Sequence, residues 1–283
     1  MAENPLVHVP AAWPVLMRAN QLRRRVVGRV RSIDMLQWDG VTYGDDLAQR
    51  MHIWELNDLC PRDGWPAVLL LHGGGWVEGG WQDFESLAPL MSRKGLFVAA
   101  VDYRLAPDHR WPTQLEDVLG ALAFVRSQQV DLSRVAIWGH SAGAQLAMLA
   151  ALARPDWVRC VVGTGTPADL RTLAMDGPDD LGLVFSESQL KSASPVLMDC
   201  EQPPPIRLVH GERDPVVDVA HAKMLQARWP DQVVLDIVPD GDHGLRWPPF
   251  ASYQARRRAV QWMVDELDLP SRGSKWKRKK EKK

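Results

Sequence analysis

Arg134-Val-Ala-Ile-Trp-Gly-His-Ser-Ala-Gly-Ala-Gln-Leu-Ala-Met-Leu-Ala-Ala-Leu-Ala153 is the stretch that decides the fold. Val135, Ala136, Ile137 and Trp138 form a short apolar run of the kind found in buried strands. Ala144 to Ala153, rich in Ala, Leu and Met, has the composition of a helix. Between them lies Gly139-His-Ser-Ala-Gly143, a G-x-S-x-G element at a strand-to-helix turn, the setting a nucleophile elbow requires. So tight a turn holds Ser141 in a strained backbone conformation with its hydroxyl standing clear of the sheet. Glycines at 139 and 143 fit because a side chain at either place would strike the neighbouring strand or helix. The helix start also turns free backbone N–H groups toward the site, where they favour developing negative charge.

An exposed serine is a weak nucleophile. It needs a base, and the base needs a group to orient it. With this elbow the expected chain order is Ser, then Asp or Glu, then His. Asp214 follows a strand-like segment, Ile206 to His210, in Gly211-Glu-Arg-Asp-Pro-Val-Val217; His243 follows the next, Val233 to Val238, in Asp240-Gly-Asp-His-Gly244. Both fall on loops at the carboxyl ends of strands, the sheet edge that carries the elbow. Asp214 also suits a helix N-cap ahead of Pro215, a role compatible with the first. Glu212 and Asp218 are its rivals. His72, His140 and His210 compete with His243, but only His243 comes after Asp214 on a strand-end loop.

Acyl transfer also needs donors where the oxyanion forms, worth roughly 2.7–4 kcal/mol each. His72-Gly-Gly-Gly-Trp76 follows the continuous apolar run Pro66 to Leu71, where a second oxyanion element belongs. Gly74 and Gly75 are the expected donors, with the Ala142 N–H as the third. A phosphate-binding loop is the competing reading, and it is poor, because no Gly-Lys-Ser/Thr follows.

The rest of the chain alternates strands and helices. Val30 to Trp38 and Gln49 to Leu56 read as an antiparallel pair. Leu96 to Val101 and Val158 to Val162 read as further strands. Helices are expected over Gln82 to Lys94, around Leu115 to Val125, over Ala220 to Trp229 and over Phe250 to Leu267. Such alternation implies an α/β fold with a mostly parallel central sheet and helices on both faces. Residues 164–200, interrupted by Pro167, Gly177-Pro178 and Pro195, have the makings of a small cap.

Three parts follow: residues 1–29, an N-terminal segment or cap helix with a helical stretch running into Arg23-Arg24-Arg25; residues 30–270, the α/β domain; and 271–283, a basic, disordered tail. Over the first part, a cap over the pocket and a solvated surface helix fit the sequence equally well.

The 283 residues are 46% hydrophobic and 24% charged, with a formal charge of −1, ordinary for a globular chain with ample core material. Eight basic residues against Glu281 leave the tail at +7 and the remainder at −8. That tail reads as a solvated segment rather than a nucleic-acid arm. Cys60, Cys160 and Cys200 form neither a disulfide framework nor a metal-like spacing. With no secretory signal and no apolar run of about 18 residues, a cytoplasmic chain is expected. The oligomeric state is left open.

Taken together, the chain resembles the α/β-hydrolases of the hormone-sensitive-lipase type, which include bacterial esterases and arylformamidases. The resemblance runs from about Val41 to Trp262. It rests on Val41-Thr-Tyr-Gly-Asp45, His72-Gly-Gly-Gly-Trp76, Asp102-Tyr-Arg-Leu-Ala-Pro107, Gly139-His-Ser-Ala-Gly143, Ser194-Pro195, His210-Gly-x-x-Asp214 and His243-Gly244. It implies that Tyr103 to Pro107 buttresses the oxyanion loop. Many lipase-like members carry Asp where this chain has His140, and Gly-His-Ser-Ala-Gly is closer to kynurenine formamidases and some short-chain esterases.

The expected activity is therefore cofactor-free cleavage of a small carboxylic ester through an acyl-enzyme, with Ser141, His243 and Asp214 catalytic. Arylformamidase chemistry on an amide is the alternative, and a catalytically silent binding protein the third reading. Of the 13 tryptophans, Trp76 and Trp247 are the candidates for substrate contact; packing accounts for the others.

Overall fold

The computed structural model describes residues 24–30, 33–58, 60–176 and 181–269. Among these residues nine strands form one sheet: β1 (Arg24–Val30), β2 (Ile33–Thr42), β3 (Arg50–Leu56), β4 (Trp65–Leu71), β5 (Phe97–Asp102), β6 (Val130–His140), β7 (Cys160–Thr164), β8 (Ile206–Gly211) and β9 (Val233–Val238). Their order is β1-β2-β3-β5-β4-β6-β7-β8-β9. The first three strands run as an antiparallel meander joined to β5, and every pairing from β5 to β9 is parallel.

β4 shows why the sheet is central. All seven of its residues are buried. Ala67, Leu69 and Leu71 join one core cluster while Val68 and Leu70 join the other, so apolar residues point both ways, as in a strand covered on both faces. One face is covered by α2 (Thr113–Arg126), α3 (Ala142–Ala153) and α7 (Val219–Arg228). The other is covered by α1 (Ala88–Ser92) and α8 (Pro249–Glu266).

The chain passes from β4 outward to β5, then returns across β4 to β6. The loops leaving β4 and β6 therefore diverge at the carboxyl edge, and the crevice between them is where such sheets place ligands. His72-Gly-Gly-Gly-Trp76 and Ser141 flank that crevice.

Several expectations change. Arg24 and Arg25, read as part of a helix, open β1. Three β-branched valines within seven residues and a mid-segment Gly28 favour extended chain over helix. Residues 1–23 and the tail expectation for 271–283 lie outside the described residues. The helix over Gln82 to Lys94 is instead a 3₁₀ turn, Trp81–Phe84, followed by the short α1 with Pro89 in its first turn, since proline tolerates only the start of a helix. Within residues 164–200, expected to supply a small cap, the described residues form α4 (Leu170–Asp176), α5 (Leu181–Val184), α6 (Glu187–Leu190) and a 3₁₀ turn at Pro195–Leu197; Gly177-Pro178 lies outside the described residues.

Candidate active site

Ser141 sits between β6 and α3 with φ 52° and ψ −121°, a conformation costly for a residue with a side chain. The surroundings enforce it. Its N–H donates to Thr164 O at 2.8 Å, and its carbonyl accepts from Ala144 and Gln145. A Cβ at Gly143 would strike the carbonyl oxygens of Leu71 and His72, so α3 packs this close to β4 only because residue 143 is glycine.

His243 Nε2 lies 2.9 Å from Ser141 Oγ, and His243 Nδ1 lies 2.7 Å from Asp214 Oδ2. A carboxylate only accepts, so Nδ1 carries the proton and Nε2 offers its lone pair to the serine hydroxyl. This is the geometry of a nucleophile, its base and an orienting acid. The other oxygen of Asp214, Oδ1, accepts from the N–H groups of Val216 and Val217, both at 2.9 Å. Burial works against a charged Asp214. Hydrogen bonds from His210, His243 and the Val217 N–H outweigh it and hold the carboxyl well below the usual carboxylate range.

The rivals are engaged elsewhere. Asp218 caps α7, accepting from Ala220 N at 2.7 Å, and Glu212 accepts from Asp240 N at 3.1 Å. His72 is buried and stacked on Tyr103, with its Nδ1 2.8 Å from Gly73 O. His210 is fully buried; its Nε2 donates to Val217 O at 2.8 Å and reaches Asp214 Oδ2 at 3.3 Å. His140 lies beside His243, ring centres 5.0 Å apart, with Nδ1 3.0 Å from Thr164 Oγ1. Burial, reinforced by the neighbouring His243, pushes the His140 imidazole down to about 4.

The glycine loop is a tight turn in which Val77 N and Glu78 N both donate to Gly74 O at 3.0 Å. Gly74 and Gly75 have φ of 97° and 58°, and a Cβ on Gly74 would strike the Glu78 carbonyl. Tyr103 Oη donates to His72 O at 2.8 Å and Ala106 N donates to Trp76 O at 2.9 Å. The following segment is anchored in turn by the Arg104–Asp117 pair at 2.6 Å, whose carboxylate is wholly buried and also accepts from Gln49. The Tyr103–Pro107 segment thus braces the glycine loop through hydrogen bonds at both ends.

A pocket of about 360 Å³ opens above Ser141, lined by Gly74, Gly75, Trp76, Val77, Glu78, His140, Ser141, Leu181, Val216 and His243. Ala142 is not on its wall; its side chain is buried in the core. Trp76 is on the wall but 3% exposed, its ring edge against Phe185 at 5.0 Å. Trp247 corrects the expectation. It is 63% exposed and does not line the pocket, because the Asp242 carboxylate binds the Arg246 and Trp247 N–H groups and the turn projects the indole into solvent. Leu181 and Val216 were missed by sequence reasoning, as was Gly165, at whose position a Cβ would stand 3.0 Å from His243.

Among the described residues no cluster of three or more His, Cys, Asp or Glu is arranged to hold a metal. No helix among them is long and apolar enough to cross a membrane.

Residues 61–229 match the family model described as BD-FAE, more than half of the 283 residues. The chain belongs to the BD-FAE family. This BD-FAE member is 30% identical over 271 residues to esterase LipC of Mycobacterium tuberculosis, with 82% of this chain and 64% of LipC covered. It is 39% identical over 147 residues to carboxylesterase NlhH of the same organism, covering 50% of this chain and 41% of NlhH. The BD-FAE chain therefore spans only part of these relatives. In architecture it matches a truncated carbohydrate esterase from gut microbiota with a TM-score of 0.70 at 19% identity, over 82% of this chain and 96% of that one. The α/β-hydrolase fold expected from the motifs is the fold observed.

Proposed function

We propose that this protein is a serine hydrolase that cleaves small carboxylic esters through an acyl-enzyme. The observation that carries the reading is the unbroken relay Ser141 Oγ–His243 Nε2–His243 Nδ1–Asp214 Oδ2, at 2.9 and 2.7 Å, opening on one pocket with the glycine loop. Relatives named esterase and carboxylesterase support the same reaction class.

Ser141 attacks the ester carbonyl as His243 takes its proton, and Asp214 keeps the imidazole in the tautomer that makes this transfer possible. The N–H groups of Gly74, Gly75 and Ala142 hold the oxyanion. His243 then returns the proton to the leaving alkoxide. Water repeats the sequence on the acyl-enzyme and regenerates Ser141. Trp76 forms part of the wall, and Trp247 lies outside its lining. The three cysteines, each a free thiol, support action in a reducing compartment such as the cytoplasm.

A fluorophosphonate probe tests the reading. It should label the parent at Ser141 and leave Ser141→Ala unlabelled. Labelling that survives the substitution would refute the assignment.

A further inference from the structure

Among the described residues Glu78 is the one carboxylate on the pocket wall, and no described lysine or arginine lines the pocket with it. Gly74 O holds the Glu78 N–H at 3.0 Å, which fixes the residue at the end of the glycine turn. Its side-chain stem packs beside Gly74, close enough that a Cβ built there would come within 3.0 Å of Glu78 Cγ. The residue is exposed, and its carboxylate has neither an ion-pair nor a hydrogen-bond partner among the described residues. The other ionisable wall groups among the described residues are the imidazoles of His140 and His243, and burial keeps His140 neutral at pH 7. Arg246 lies near enough to act on His140, but it is exposed on the His243 loop and outside the wall.

We infer that Glu78 is a charge filter: the pocket takes neutral and cationic esters and turns away anionic ones. The inference rests on the esterase reading and adds a substrate class to it. A carboxylate left unpaired on a wall loses nothing when a cation or a hydroxyl donor arrives, since it gains a partner it lacks. A carboxylate on the substrate meets like charge with no compensating donor on the wall. The tetrahedral intermediate carries its oxyanion beside the same loop, and a second negative charge carried by the substrate would add to that repulsion.

The test compares nitrophenyl esters of three acids of similar length: the glutaric monoester (anionic), the hexanoic ester (neutral) and the trimethylammonio-butyric ester (cationic). A mirrored set places the charge on the alcohol of a butyrate ester, since the filter acts wherever the charged end meets Glu78. In at least one set the cationic-to-anionic ratio of kcat/KM should exceed unity by about tenfold or more at low ionic strength and shrink as salt is added. Glu78→Gln should lower that ratio about tenfold, and Glu78→Lys should invert it. Ratios unmoved by both substitutions in both sets would overturn the filter while leaving the esterase reading intact. No hydrolysis of any ester by the parent would overturn the esterase reading, and the filter with it.

Discussion

The indole Nε1 of Trp76 donates to Gln145 Oε1 across 3.1 Å. This bond ties the glycine loop to the helix that follows Ser141. Gln145 is itself fully buried, and its amide nitrogen donates to Ala193 O at 2.7 Å, so one side chain joins the glycine loop, α3 and the segment that leads into Pro195.

Gln145→Leu keeps the volume and removes both bonds, leaving a buried indole N–H and a buried carbonyl unpaired. Stability should fall by about 1–3 kcal/mol for each group so stranded. Urea unfolding measures the loss. Because the glycine loop loses its tether, kcat should fall more than KM rises. A variant as stable as the parent would show that the bridge contributes nothing.

Ser141→Ala should reduce turnover by about 10⁶-fold with the fold intact, as removal of such a nucleophile does elsewhere. Single-turnover kinetics and circular dichroism check both halves.

Asp214→Asn should cost roughly 10⁴-fold, because an amide no longer selects the productive tautomer of His243. Asp218→Asn should cost little in turnover, since its carboxylate caps α7 rather than facing the imidazole. The reverse ranking in kcat/KM would move the orienting role to Asp218.

The motif-bearing loops were legible in the sequence because short-range sterics dictate them. A strand, a G-x-S-x-G turn and an Ala-rich helix admit few backbone paths, and chain order then placed Asp214 and His243 on the same edge. Other features depend on contacts the sequence does not display. The pairing of β1 with β2 overrides a basic segment that resembles a helix surface. Leu181 and Val216 reach the pocket from segments 40 and 75 residues beyond Ser141 along the chain, and no local pattern announces that. Trp247 stands near His243 in sequence, yet the Asp242 turn decides where its indole goes. The rivalry between Asp214 and Asp218 had the same character: both sit near the start of α7, and only the structure shows which one caps it.

Stability should depend on pH through His140. Burial lowers its imidazole from 6.5 to about 4, so between those values the unfolded chain binds a proton that the folded chain refuses. The stability is whole above pH 6.5 and is lost as the pH falls toward 4. The residue keeps some contact with the open pocket, which limits the loss to about 2 kcal/mol. Asp214 acts in the same direction at lower pH, since its depressed carboxyl is stabilising above the ordinary carboxylate range and fails as the pH drops beneath it. Urea midpoints for parent and His140→Asn across pH 7 to 4 should converge as the pH falls. Parallel curves would show that His140 does not carry this dependence.

Acyl length is the last expectation. The pocket holds about 360 Å³, and its apolar walls, Val77, Leu181 and Val216, give a few methylenes somewhere to go. Each buried methylene adds about 0.8 kcal/mol only while there is room for it. Turnover of nitrophenyl esters should therefore peak with acyl groups of about two to six carbons and fall beyond. Formamide hydrolysis makes a different demand: its acyl group is a single formyl carbon, which would leave the apolar walls untouched and waste their contribution to the transition state. N-formylkynurenine should accordingly be a poorer substrate than nitrophenyl butyrate by kcat/KM. A formamide advantage above about a hundredfold, equivalent to about 2.7 kcal/mol of transition-state stabilisation, would replace the ester reading with the amide one. An optimum near twelve carbons would contradict both, because a chain of that length overfills the space that Leu181 and Val216 enclose.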